Sequence, residues 1–446
     1  MLELKEPKNS LTEGYAAAGS NGGPEELAAM RTESFRRFSE AGIPTTKHEE
    51  WKYTSLRSLA ETRFQLAKHE PVGIVDLRSS AVGSVKGPRL AFVNGFFDAS
   101  LSDLADLPTG LSVRPLSEAL REEPGAVLES LGKIATLSGR LGSFNDERFA
   151  WLNTSHFADG AFVRIEPGAE IDPTIHLVFL ASVHEVSAAF YPRVLVVAEP
   201  GAKARILESH LGARGAYFSC PVTEIGLAAE ARVEHVRLQL ESEEAHSIGT
   251  LAIRQEARSE YRSTVASFGG RLARLDVHAW VGGERAETSL DGVYVATGEQ
   301  HMDHHTRIDH AVPNCHSFEV YKGILDGRAK GVFNGKIFVY QDAQKTDAKQ
   351  TNQALLLSNT ATIDTKPQLE IFADDVKCTH GATVGRLRED ALFYLRSRGI
   401  PEADARNLLI FAFAAEVLEP ITDDEVRRAL ERQLFAKLGG SGVIPI

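Results

Sequence analysis

The chain has 446 residues, 43% hydrophobic and 25% charged, the balance of an ordinary soluble folded protein with apolar material for a sizeable core. Its net charge of −12 repels phosphate backbones and anionic headgroups, which argues against nucleic-acid binding and docking on anionic lipid. Cys220, Cys315 and Cys378 are odd in number and far apart, so they form neither a disulfide framework nor a CxxC zinc pair, and suit a reducing compartment.

The N-terminal stretch has no apolar signal core, and no apolar run reaches membrane-spanning length, so a cytoplasmic protein is expected. Residues 1–23 are polar and rich in Gly and Ser, the composition of a disordered tail. A helix follows, with Pro24 in its first turn, Glu25 and Glu26 at the positive end of its dipole, and Leu27, Met30, Phe35 and Phe38 at helical spacing. Gly42 and Pro44 end it. Residues 24–155 read as a mixed, partly helical region, with a strand near 90–93 and helix-like stretches near 116–121 and 127–134.

Residues 156–388 are β-rich. Short strand-like runs, among them AFVRI, RVLVVAE, LDVHAW and KIFVY, alternate with turn signals. From Val236 to Glu241 apolar and polar residues alternate strictly, which predicts a half-buried strand. A turn-like Ala before a strand recurs at Ala169, Ala202, Ala231, Ala257, Ala286, Ala329 and Ala361, with spacings of 33, 29, 26, 29, 43 and 32. Such a period suits a stacked solenoid, and an antiparallel sandwich with chance Ala recurrence stays open. The 43-residue gap suggests a coil carrying an insertion.

Residues 389–446 read as a helical module. ALFYLRSRGI ends on basic residues and Gly399. Pro401 opens a second helix with a stripe of Leu408, Leu409, Ala412 and Phe413. A third spans about 423–438, its apolar positions Val426, Ala429, Leu430 and Leu434. Such a module caps the solenoid, binds a partner, or does both.

Three constellations carry candidate chemistry. HMDHHTRIDHAVPNCHS holds five of the fifteen histidines, with Asp303, Asp309 and Cys315. Imidazole, thiolate and carboxylate together suit a transition metal, but no HExxH or CxxC spacing appears. In a strand His304 and His310 share one face and His305 takes the other, so hydrogen bonding is the simpler reading. In DTKPQLEIFADDVKCTHGATVG, Cys378 and His380 are two apart and share a face of a strand, where they can hold a metal or sulfur, or activate each other. A structural Cys beside a surface His is the bland alternative. Arg328, Lys330, Lys336, Lys345 and Lys349 form a cationic run suited to an acidic partner or phosphate, though Asp342 and Asp347 interleave it as on a solvated face. No P-loop, GxSxG elbow, dinucleotide fingerprint or ferredoxin-type cysteine run appears.

The runs YKGILDGRAKGVFNGKIFV, DAQKTDAKQTNQALLLS, DTKPQLEIFADDVKCTHGATVG and ALFYLRSRGI, with GIPTTKHEEWKYTSL near the N-terminus, closely resemble the SufB/SufD family of the SUF iron–sulfur assembly system. Residues 60–300 match only in texture. Thr379 and Gly381 flank His380 where the SufB branch usually carries Glu, so the resemblance is to the SufD branch.

The resemblance implies a right-handed parallel β-helix with helical N- and C-terminal regions. It implies a non-catalytic scaffold that pairs with SufB and docks the ATPase SufC on its C-terminal helices, residues 389–446. A transient iron–sulfur cluster shared with SufB would form with His380 as metal ligand and Cys378 beside it, and no tightly bound cofactor is expected in the isolated chain. A SufD homodimer is an option through the SufB-facing surface. It assigns no ligand role to the 301–316 cluster. The rival readings are a β-helix polysaccharide-processing enzyme and a stand-alone metal enzyme built on that cluster. The first is disfavoured because Asp374 and Asp375, adjacent in a strand, would face opposite ways.

Overall fold

The computed structural model describes residue 11 and residues 24–70, 82–136, 146–182, 187–212 and 214–439. The expected tail, residues 1–23, lies outside the described residues except for Leu11. The β-rich stretch winds as a parallel solenoid. Its strands in chain order are β1 (Gly160–Ile165), β2 (Ile175–Ala181), β3 (Arg193–Ala198), β4 (Lys203–Gly212), β5 (Val222–Leu227), β6 (Arg232–Leu240), β7 (His246–Gln255) and β8 (Glu260–Ser267). They continue with β9 (Leu272–Val281), β10 (Glu287–Ala296), β11 (His301–His310), β12 (His316–Leu325), β13 (Lys330–Val339), β14 (Asp347–Leu356), β15 (Thr362–Ile371) and β16 (Lys377–Gly385). Odd strands pair in parallel with odd strands and even with even, giving two facing sheets. Each coil buries its inward side chains against the next, so an apolar cluster that includes Ile206, Val233, Leu290 and Ile308 runs along the interior.

The corners explain the Ala periodicity and correct it. Before each even strand from β4 to β14 stands a small buried residue: Ala202, Ala231, Ser259, Ala286, Cys315 and Thr346. The residue ahead of each is left-handed: Gly201, Glu230, Arg258, Arg285, Asn314 and Lys345, with φ from 57° to 72°. This pair turns the chain sharply while letting successive coils stack. Ala329 and Ala361 belong to the opposite corner, before β13 and β15, and Ala257 lies two residues short of the stacking position. The coil in the 43-residue gap therefore carries no insertion within its strands. Glu287 pairs with His316 and His316 with Asp347, in unbroken register. The corner requires smallness rather than alanine, so a search for one letter skipped Cys315.

Both outer faces of the solenoid carry a packed layer over part of their length. Helix α1 (Glu25–Ala41) packs against α2 (Arg148–His156), and this N-terminal layer lies on the odd sheet through Leu27, Phe38, Trp51 and Phe149 against Phe218, Ile248 and Leu272. α1 starts after Pro24 and closes at Gly42, whose N–H donates to the Phe38 carbonyl at 2.7 Å. Leu27, Phe35 and Phe38 are buried and Met30 half-buried, as the spacing predicts. The expected early strand is Arg89–Val93, and it extends the even sheet beside β2.

At the other end of the chain, α3 (Glu389–Ser397), α4 (Glu402–Ala415) and α5 (Asp424–Lys437) follow the solenoid. Asp423 caps α5 by accepting from the N–H groups of Glu425 and Val426. Val426, Ala429, Leu430 and Leu434 seat α5 with α4 on the outer face of the even sheet, against Leu207, Val236 and Leu238. The stripe expected on α4 is corrected: Ala405, Ile410 and Ala414 are buried, while Leu408, Leu409 and Phe413 are half-buried and Ala412 is exposed. α4 is apolar almost all round, so periodicity could not choose its buried face.

The Val236–Glu241 expectation also changes. β6 is buried on both faces. Its polar side points into the solenoid, where Glu208 accepts from Arg237, from Thr223 and from His235 at 3.1 Å. A charged cluster inside the column is tolerated because its members pair with one another.

Candidate functional site at the open end of the solenoid

β15 and β16 end their sheets, so among the described residues no coil is stacked beyond the last one, which presents two strand edges. Register places Cys378 over Ala348 and His380 over Gln350, in the column that runs back to Ser317 and Glu319. Cys378 and His380 therefore share the inward face of β16, as their spacing predicts. Cys378 is half-buried beside Leu369 and Val376, and burial pushes its thiol up from the ordinary range. His380 is exposed, and no other side chain among the described residues holds its ring. Ile371, Phe372 and Val384 of the same last coil are exposed apolar side chains, with Phe372 61% accessible. An unpaired β edge with exposed apolar groups is a template for another polypeptide.

Cys220 and Cys315 are fully buried, and each thiol donates to a backbone carbonyl, Phe149 and Gly283 respectively. Burial raises both thiols, so neither is a ready nucleophile.

The histidine cluster divides as the strand period requires. His304 and His310 point into the solenoid, bonded to Ser267 at 3.1 Å and Ser317 at 2.9 Å. Burial pulls both rings down to about 4. His301 and His305 point outward beneath the N-terminal layer. His305 lies 3.0 Å from Asp303 and 3.4 Å from Glu50. Burial and the Arg274 cation pull it down, but the Asp303 and Glu50 carboxylates outweigh them and hold it above the usual range. No group of three or more His, Cys, Asp or Glu side chains among the described residues is arranged to hold a metal ion. Hydrogen bonds and ion pairs account for His301, His304, His305 and His310.

The EEWKYT segment is a strap across four coils. Arg274 lies 3.7 Å over the fully buried Trp51, whose indole donates to Asp146 at 2.7 Å. Thr54 donates to Asp303 at 2.5 Å, Lys330 donates to the Tyr53 carbonyl at 2.6 Å, and Lys366 pairs with Glu49. The cationic run is absorbed in the same way. Arg328 pairs with Glu299, Lys336 lies near Glu50 and Glu370, and Lys345 pairs with Asp375. Asp374 and Asp375 lie on the turn before β16 rather than in a strand. Sequence reading missed the exposed apolar side chains, because Ile371, Phe372 and Val384 read as core until the last coil is seen to be uncovered.

Residues 179–413 match the family described as the SufBD core domain of SUF-system FeS cluster assembly, and residues 15–177 match the SufBD N-terminal region. The chain belongs to the SufBD family. It is 31% identical to the iron–sulfur cluster assembly protein SufD of Escherichia coli, over 98% of either chain. An iron–sulfur cluster assembly SufBD family protein of Synechocystis is 36% identical over 85% of this chain and 84% of its own. The chloroplastic protein ABCI7 of Arabidopsis thaliana is 29% identical over 96% of this chain and 88% of its own. In this SufBD-family chain the N-terminal match covers the strap, and the core match ends within α4 and includes the Cys378–His380 coil. No helix among the described residues is long and apolar enough to cross a membrane.

Proposed function

We propose that this chain is a non-catalytic scaffold subunit for iron–sulfur cluster assembly that pairs with a SufB-type partner through its open last coil. The observation that carries this reading is the placing of Cys378 and His380 on one face of an unpaired terminal strand, in a coil that also exposes Ile371, Phe372 and Val384. A partner coil laid on that edge completes both sheets and covers these side chains. It also encloses the imidazole and thiol between two chains. His380 is the ligand to the nascent cluster, and Cys378 is its neighbour toward iron or sulfur. A site divided between two chains holds its cargo loosely enough to pass it on.

The C-terminal helices dock the ATPase SufC. α3 supports this, since none of its residues is buried and Phe393 and Tyr394 are exposed at 72% and 56%. The half-buried Leu408 and Leu409 on α4 add apolar surface. Movement of this module would be felt at the solenoid, because Lys322 on β12 donates to the Phe413 carbonyl at 3.0 Å and pairs with Glu416. The isolated chain carries no tightly bound cofactor, works in the cytoplasm and self-pairs through the same edge when SufB is absent.

The test is anaerobic co-purification with SufB and SufC, followed by iron and sulfide analysis of complexes carrying wild-type chain or His380→Ala. A stable complex that loses its cluster in the variant supports both scaffold and ligand roles. A complex that keeps its cluster removes His380 from the ligand set. Failure to bind SufB and SufC overturns the scaffold reading.

A further inference from the structure

Directly beneath His380 in the even sheet stands Gln350, and beneath Gln350 stands Glu319. Gln350 and Glu319 are each 1% exposed. Gln350 Nε2 donates to Glu319 Oε2 at 2.7 Å. That bond turns the NH2 end of the amide toward Glu319. The other end, Gln350 Oε1, is a buried acceptor with no protein partner. Room for the amide comes from across the solenoid, where a Cβ at Gly335 would lie 2.1 Å from Gln350 Nε2. A side chain at position 335 would displace this amide. In-register neighbours on adjacent strands stand ~4.8 Å apart, within reach of two inward side chains.

We infer that Gln350, held by Glu319, is a positioning residue for His380: its Oε1, which has no partner in this structure, accepts from one ring N–H once the imidazole turns down onto it, and so fixes a single tautomer. The opposite nitrogen then carries the lone pair and faces the open end. An imidazole coordinates through its deprotonated nitrogen, and the hydrogen bond at the other nitrogen decides which one that is. The inference rests on the reading of His380 as a ligand for its purpose, but not for its geometry. It also gives a role to the buried polar pair Glu319 and Gln350. Thr365 and Pro367 on β15, and Cys378 and Ala382 along β16, are the inward neighbours of the ring, and none carries a carboxylate to compete for its proton.

The experiment is nitrogen-detected NMR of the histidine rings in the full chain, with His380→Ala assigning the signal. Wild type is expected to show His380 in one dominant tautomer. Gln350→Leu is expected to return it to the mixture of an unrestrained imidazole. Glu319→Gln, which frees the amide to turn without opening a cavity, is expected to reduce the preference while the fold persists. An unchanged tautomer ratio in both variants, or a mixture already present in wild type, overturns the inference. Should His380→Ala keep the cluster in the complex while Gln350→Leu still shifts the tautomer, the positioning role stands and only the ligand reading fails. If both hold, Gln350→Leu weakens iron retention by about 10–100-fold.

Discussion

Arg274 lies face-on over Trp51 at 3.7 Å while its guanidinium also grips Asp276 at 2.7 Å and Asp303 at 3.1 Å. One fully buried cation thereby joins the strap to coils β9 and β11. Removing it leaves Asp303 buried and under-paired. Arg274→Ala is expected to cost about 3–5 kcal/mol, read as a lower urea midpoint, and Arg274→Lys to recover little of it. A loss under about 1 kcal/mol would show that the strap is not anchored there.

Glu319 gives the fold a pH dependence of definite sign. Burial raises its carboxyl from 4.5 to about 7, against the lowering effect of the Gln350 hydrogen bond. A carboxyl whose folded value is raised contributes most when protonated, and that contribution is lost as pH rises through the folded value. Relative to Glu319→Gln, wild type should therefore lose up to about 3 kcal/mol between pH 4.5 and 7 and change little above it. Denaturation of both proteins across that range checks this, and a parallel pair of curves would refute it.

The corner rule predicts an asymmetry at Cys315. Its side chain fills the small stacking position between Ala286 and Thr346, fully buried. Cys315→Ala should stay within about 1 kcal/mol of wild type, whereas Cys315→Leu should cost about 1–3 kcal/mol by overpacking. Thermal melts of the two variants decide it. Equal effects would mean that the corner does not limit size.

The exposed apolar side chains of the last coil are open to a surface substitution. Phe372→Asp should change stability by no more than about 0.5 kcal/mol, because the ring is 61% accessible and meets Phe338 at its surface, centroids 5.1 Å apart. The same change should abolish capture of SufB and any self-association seen by sedimentation. Unaltered pairing would move the interface away from the last coil.

Much of the fold was readable because the solenoid repeats its requirements. Strand runs, the period near 30 residues, the first helix and the face of α5 each follow from local spacing that tertiary packing did not override. Cys378 and His380 share a face because a strand has a period of two, which any strand assignment delivers. The corners were read less well, since Cys315, Ser259 and Thr346 satisfy a size limit that the letters do not advertise. The face of α4 was unreadable because a helix apolar all round offers no moment to follow.

By itself the sequence determined the β-rich core, its flanking helices and the family. Tertiary structure decided what depends on which coil covers which. It turned Arg237 and Glu208 inward as a paired cluster and left Ile371, Phe372 and Val384 bare. It spent His301, His304, His305 and His310 on hydrogen bonds and the strap. It also set Gln350 beneath His380, thirty residues apart in the chain and adjacent only because one coil lies on the next. Burial belongs to the stack, and a single strand's letters do not record whether another coil lies above it.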